Sequence, residues 1–483
     1  MPQTCSSFSP ALGIRLQSDQ PSYSPGDTII GYVYRKAPTV SPDSSVTIAL
    51  CGRAKSRMVV STTNRNTTYR GRFALIPERN CAQKIFHGPL HIESGSDEQV
   101  WPFAITLPQY VDPTHLQGER QVESYLSLGA MDHILPSTFV HDSSKSAEAF
   151  VEYFLKATMV LTGQGHVERP EATLPFVLQR WSPGPPRADF GLKESKNRQS
   201  VSTYRLIPGM EVAKLSFSQK MKKSFGTSSV PTFLFDVFVD VPTIIQLDNP
   251  NPIPFKIRIV PERKATSEAI KDIPEQVKLL SVSIRIISTT NILCEGSIAP
   301  HEAVKKDEID LCIMTALGKL AGDIYIPCAD DSSPIDIGEL IDLRLGHSSP
   351  GFPQRYSAED VRFTHSFTTY NIRNSHKLSW TIKGEIAGEY FGVSGAVALK
   401  LLMPSDDRGA LDQKDSIVKD GKGSITRDDS DLGNEAGPSR LQHNESWIQP
   451  PDEDDAPPSF NEVVRDDEKL HTAEKDKSEK GGN

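Results

Sequence analysis

The chain lacks nearly every motif that announces an enzyme. It has no Gly-x-Ser-x-Gly elbow to expose a nucleophilic serine, no Gly-x-x-x-x-Gly-Lys loop to cradle phosphates and no Gly-x-Gly-x-x-Gly turn for a dinucleotide. No apolar run approaches the roughly 18 residues that cross a bilayer as a helix. The first residues, Met1-Pro2-Gln3-Thr4-Cys5, do not follow the charged-then-apolar order of a signal peptide, so a cytoplasmic location is expected. Positive charge is not in excess. With 53 Lys and Arg against 62 Asp and Glu the formal net charge is -9, which argues against general nucleic-acid binding. Cysteine is sparse as well. Its six positions are widely spaced and include no Cys-x-x-Cys pair, so reduced thiols are expected rather than a disulfide framework.

Histidine and cysteine come together loosely at Cys81, His87 and His91. Their spacing fits no common structural zinc pattern and no fourth ligand is indicated, so no metal and no cofactor are expected.

What the chain does have is alternation. Its 483 residues are too many for one ordinary core, and apolar residues recur at every second position in two blocks, as half-buried strands require. In the first block Val46, Ile48 and Leu50 share a face, and Val151, Tyr153, Leu155, Ala157, Met159 and Leu161 form a long stripe. In the second block the stripes are Phe233 to Val241, Phe255 to Ile259, Leu280 to Ile286, Leu378 to Ile382 and Val393 to Leu401. A stretch rich in Pro, Gly, Arg and Lys separates the blocks, and it reads as an interdomain connection. After Met403 the alternation stops. Asp, Glu, Lys, Ser, Gly and Pro then fill the sequence, and such a composition buries too little apolar surface to offset chain ordering.

The opening of the chain is more specific. Leu12 to Gln17 alternates as a strand; Tyr23-Ser24-Pro25-Gly26-Asp27 supplies the fixed φ and the positive φ of a type II turn; Thr28 to Val33 suits a pleated surface. This arrangement resembles the first hairpin of arrestin-like proteins, which often place a Tyr-x-Pro-Gly-Asp/Glu turn before a strand carrying Gly-x-Val. Further along, Leu135-Pro136-Ser137-Thr138-Phe139 followed by Tyr153-Phe154-Leu155-Lys156-Ala157 resembles a segment of the fungal members. Asn251-Pro252-Ile253-Pro254-Phe255 and the run from Phe367 to Ile382 are similar to the C-terminal arrestin-like domain.

The resemblance spans roughly Leu12 to Met403. It implies an all-β chain with two tandem immunoglobulin-like sandwiches. Residues 1–165 would form the N-terminal arrestin-like domain, 166–202 a linker, 203–403 the C-terminal arrestin-like domain and 404–483 a disordered tail. It further implies a non-enzymatic adaptor that binds integral-membrane cargo, recruits ubiquitin-ligase or endocytic machinery and moves from the cytoplasm to the plasma membrane or endosomes. Two other readings stay open: a sorting scaffold resembling the retromer arrestin-like subunit, with no need of a ligase, and an enzyme built on a β-sandwich. Unrelated tandem sandwiches would share the same alternation.

Two stretches are candidates for partner contacts. Lys214 to Phe225 interleaves Lys220, Lys222 and Lys223 with Phe217, Met221 and Phe225, so it can meet an anionic membrane surface at about 1 kcal/mol per lysine or serve solubility as an exposed hairpin. Arg70-Gly71-Arg72 is a second, smaller basic feature. The tail carries Ala456-Pro457-Pro458-Ser459-Phe460, where many arrestin-like adaptors have Pro-Pro-x-Tyr for the WW domain of a ubiquitin ligase. Phe460 keeps the ring and loses the hydroxyl, which orphans a polar partner at a cost of about 1 to 3 kcal/mol. A peptide covering residues 454–464 is therefore expected to bind a WW domain weakly, and Phe460→Tyr to tighten it about tenfold. Titration of both peptides checks this; failure of both to bind assigns the tail to another partner.

Overall fold

The computed structural model describes residues 3–18, 20–62, 65–113, 116, 123–142, 146–163, 166–210, 216, 217, 219, 221, 230–273, 275–296, 299–320, 322–347 and 362–407. These residues are nearly all β. The first ten strands are β1 (Gly13–Leu16), β2 (Thr28–Arg35), β3 (Thr39–Thr62), β4 (Arg65–Ile76), β5 (Ala82–Ile92), β6 (Gln99–Thr106), β7 (Phe139–Asp142), β8 (Ala147–Gly163), β9 (His166–Glu168) and β10 (Glu171–Phe176). They build a three-stranded sheet in the order β1-β2-β6. A seven-stranded sheet runs β10-β8-β3-β4, with β5 pairing β3 and with β7 and β9 pairing β8.

The hairpin at the start of the chain forms as its residues require. Gly26 takes a φ of 95°, the Asp27 N–H donates to the Ser24 carbonyl at 3.0 Å, and the Asp27 carboxylate accepts from the Ser24 N–H at 2.7 Å. In β8 the stripe from Val151 to Leu161 faces inward and is buried along its whole length. It packs with Ile48, Leu50, Phe73, Trp101 and Phe103 in one hydrophobic core.

The remaining strands are β11 (Leu192–Ser202), β12 (Thr232–Pro242), β13 (Ile244–Gln246), β14 (Lys256–Pro261), β15 (Val277–Cys294), β16 (His301–Asp310), β17 (Tyr325–Ile326), β18 (Ile335–Asp336), β19 (Gly346–His347), β20 (Arg362–Phe363), β21 (Phe367–Thr368), β22 (Ile372–Ile386) and β23 (Glu389–Leu402). One sheet runs β11-β12-β14-β18. Another runs β13-β23-β22-β15-β16, with β17 on β15 and β21 on β22, and β19 pairs β20. Phe235, Val237, Ile257, Ile284, Trp380 and Ile382 anchor a second core between the two larger of these sheets.

The stripe expected at Leu280 is displaced by one residue. A register irregularity between Leu279 and Ser281 puts Leu279 into the core and leaves Leu280 only half-buried, as an extra residue in one strand does. Strands also enter the stretch read from composition as a connection: β9, β10 and β11 lie within 166–202, and the Pro- and Gly-rich part that stays outside strands is 177–191.

The ends of β15 and β22 reach into the first core, where Ile292, Cys294, Tyr370 and Ile372 are almost fully buried. Polar groups there are closely matched. Ser56 Oγ donates to the Leu293 carbonyl at 2.6 Å and accepts from Asn371 Nδ2 at 3.0 Å, and both side chains have almost no exposure. Gly71 lies against the same point, where a Cβ would stand 2.8 Å from the Leu293 oxygen, so only glycine lets the carbonyl approach. Ser56→Ala is expected to orphan the Asn371 amide and the Leu293 carbonyl, at about 1 to 3 kcal/mol per orphaned group. Urea unfolding of this variant beside an exposed control such as Ser96→Ala measures it.

Candidate functional site: a cationic sheet face

The outer face of the seven-stranded sheet carries a dense set of cations. Inward residues of β3 (Ala54, Ser56, Met58) alternate with Arg53, Lys55 and Arg57, which must point away from the core. Register then sets their neighbours. On one side Lys55 lies opposite Arg72 and Arg57 opposite Arg70 in β4; on the other, Arg53, Lys55 and Arg57 lie opposite Glu152, Phe150 and Glu148 in β8. Five cations thus share a patch with two carboxylates.

Those carboxylates are engaged. Glu152 pairs with Arg53, lies 3.8 Å from Lys55 Nζ and accepts the Thr4 backbone N–H at 2.7 Å. Arg53 also donates to Thr4 Oγ1 at 2.7 Å, which ties the segment before β1 to this face. Glu148 pairs with Arg57. Aromatic rings supply further support, with Arg53 over Phe154 at 4.9 Å and Lys55 over Phe150 at 5.6 Å.

Arg70 and Arg72 are exposed, and among the described residues neither has a carboxylate within ion-pair distance. Lys55 is the most crowded member. Its side chain is 10% exposed, and burial, with Arg53 and Arg72 adding to it against the pull of Glu152, lowers its pKa below the ordinary lysine value. Beside these residues opens a cavity of about 300 Å³ whose lining includes Thr4, Arg53, Arg72, Phe154, Lys156 and Glu78. Lys156 is held there by Glu171 at 3.1 Å and Glu78 at 3.4 Å. Cys51 also lines the cavity, but burial pushes its thiol up to about 12, so it stays protonated at neutral pH and is a poor nucleophile.

The chemistry available is anion recognition. Successive outward side chains along a strand stand about 6.8 Å apart and neighbouring strands about 4.8 Å, so this grid matches an extended chain bearing acidic side chains at every second position.

Of the basic features singled out in the sequence, only Arg70-Gly71-Arg72 belongs to this face. Arg53, Lys55 and Arg57 belong to it as well, and their signal in the sequence is the Arg-x-Lys-x-Arg spacing, which places all three cations on one side of a strand. Lys220, Lys222 and Lys223 lie outside the described residues, while their neighbours Phe217 and Met221 are exposed. Pro457, Pro458 and Phe460 also lie outside them. His87 and His91 are exposed on β5, His87 Nε2 standing 3.7 Å from Asp43, and Cys81 packs against the first core, where burial raises its thiol pKa. Among the described residues no group of three or more His, Cys, Asp or Glu is placed to hold a metal ion, and no helix is long and apolar enough to cross a membrane.

A scan against protein-family models finds no match for this chain, and a search of curated proteins finds none either. The functional reading therefore rests on the geometry above.

Two substitutions should move stability in opposite directions. Lys55 has a lowered folded-state pKa, so the folded chain binds its proton less tightly than the unfolded chain, and the stability it contributes rises as pH climbs through the folded value toward 10.5. Lys55→Met is expected to melt at or above the wild type at pH 7, with the gap closing near pH 10.5. Glu152→Gln, which strips Arg53 and Lys55 of their carboxylate, should cost about 3 kcal/mol. Thermal melts across that pH range check both.

Proposed function

We propose that this chain is a non-enzymatic adaptor of arrestin-like organisation: two tandem immunoglobulin-like sandwiches followed by a tail, acting in the cytoplasm on integral-membrane proteins. The cationic face on the seven-stranded sheet carries the reading, because unpaired Arg70 and Arg72 beside a desolvated Lys55 favour an acidic partner. Support for the organisation comes from the Pro-Gly hairpin and from the two cores, each built mainly from its own sheets.

In this reading an acidic cytosolic segment of the cargo lies in extended form across β3 and β4, and the tail recruits ubiquitination or endocytic machinery through Pro457, Pro458 and Phe460. Phenylalanine at the tyrosine position of that motif favours a second reading, a sorting scaffold of the retromer type in which the tail needs no ligase. Both readings use the same cargo face.

A peptide with glutamate at alternate positions, followed by fluorescence anisotropy, tests the face. Arg70→Glu with Arg72→Glu should weaken binding at least tenfold, about 1.4 kcal/mol, without lowering the melting temperature, and the wild-type affinity should fall as salt rises. Equal affinity in the double variant would remove the cargo face from the proposal.

A further inference from the structure

The cavity beside the cationic face differs in character from the face itself. Along β3 and β4 the cross-strand rows run Arg57 with Arg70, Lys55 with Arg72, Arg53 with Ala74 and Gly52 with Ile76. The unanswered arginines belong to the first two rows. Further along, the cations that border the cavity are matched, Arg53 by Glu152 and Lys156 by Glu171 and Glu78. Side-chain type changes with the charge: Cys51, Ala74, Ile76, Pro77 and Phe154 all line the cavity, and the Arg53 guanidinium covers the Phe154 ring at 4.9 Å.

The backbone makes the hollow. The register of β3 against β4 breaks between Gly52 and Arg53, so that Ala74, Leu75 and Ile76 are opposed only by Arg53 and Gly52, and an extra residue of this kind bends its strand and interrupts the even surface of a sheet. The far wall comes from the segment before β1. Ser7 exchanges backbone hydrogen bonds with Thr173 of β10 at 2.9 and 3.1 Å, Thr173 Oγ1 donates to the Cys5 carbonyl at 2.8 Å, and Thr4 and Thr173 both line the cavity. At about 300 Å³ the space stands at the lower limit of small-molecule pockets and has room for one large side chain.

We propose that this cavity is an anchor pocket for the chain that crosses the cationic face: beyond its acidic residues the bound segment carries one bulky apolar side chain, which fills the space between Ala74, Ile76 and Phe154. The inference rests on the cargo face argued above and adds the residue class by which one acidic segment is told from another. Spacing follows from the rows. Residues two apart in an extended chain advance about 6.8 Å, one row at each step, so acids over Arg70 and Arg72 place the anchor two or four residues from the nearer acid. Charge fixes the order, because an acid at the cavity end would meet Glu152 and Glu78, whereas an apolar residue over Arg70 would cover a guanidinium without answering it. Burial of the anchor contributes affinity that salt does not screen.

Fluorescence anisotropy with the full chain tests the pocket, using Glu-x-Glu peptides whose leucine stands two or four residues from the nearer glutamate, on either side, and the same peptides with serine for leucine. In the wild type the best leucine peptide should bind at least tenfold more tightly than its serine counterpart, about 1.4 kcal/mol, and that ratio should persist as salt rises while both affinities fall. Ala74→Phe, which fills the cavity, should bring the ratio close to one. A second readout uses the unaltered chain: a photoactivatable diazirine analogue of leucine at the anchor position should cross-link within residues 74–77 or at Phe154. Leucine and serine peptides that bind equally would overturn the anchor and leave the acidic face standing, whereas failure of both to bind would remove the face and the anchor with it. Cross-links elsewhere, or an unchanged ratio in Ala74→Phe, would also overturn the pocket.

Discussion

The contact on which the structure turns is the one between Ser56, Leu293 and Asn371. A serine in the middle of β3 would ordinarily leave a polar atom in an apolar core, and here it is satisfied only because β15 delivers a carbonyl and Asn371, just before β22, an amide to it. The same two segments bring Ile292, Cys294, Tyr370 and Ile372 into that core. The first core is therefore incomplete without residues that belong to the sheets of the second. Surrounding contacts reinforce the position: Tyr69 stacks on His301 at 3.7 Å between ring centroids, and Tyr125 donates to Glu302 at 2.6 Å.

Charge is handled differently on the two sides of the molecule. On the outer face of the β11-β12-β14 sheet, Asp236 accepts Lys196 at 2.9 Å and Arg198 at 3.3 Å, and Arg258 meets Glu194 at 2.9 Å. Positive and negative side chains are interleaved there around Phe238, as a solvated face arranges them. The face of β3 and β4 has the same aromatic support but a surplus of cations, two of them unanswered. That contrast between two similarly built sheets is what separates a recognition surface from an ordinary exterior.

Much of the β architecture was legible because alternation is a direct record of which side of a strand is buried. The stripe from Val151 to Leu161, the hairpin at Pro25 and Gly26 and the run from Phe233 to Val241 all follow from residue type and period alone. Leu280 misled because a bulge changes the phase of a strand without changing its composition. The cationic face was half legible. Arg53, Lys55 and Arg57 carry the period of a strand, but their meeting with Arg70 and Arg72 depends on the pairing of β3 with β4, which no local pattern states.

Gly71 links the joint of the two cores to the recognition face. It admits the Leu293 carbonyl on its inner side, while the residues on either side of it, Arg70 and Arg72, hold their guanidinium groups outward. A sliding of β15 by a fraction of an ångström would be transmitted through that carbonyl into the backbone of β4, and so into the spacing between the two arginines. The glycine thus acts as a bearing: the fit of the second core against the first and the span offered to an anionic chain are adjusted by the same three residues.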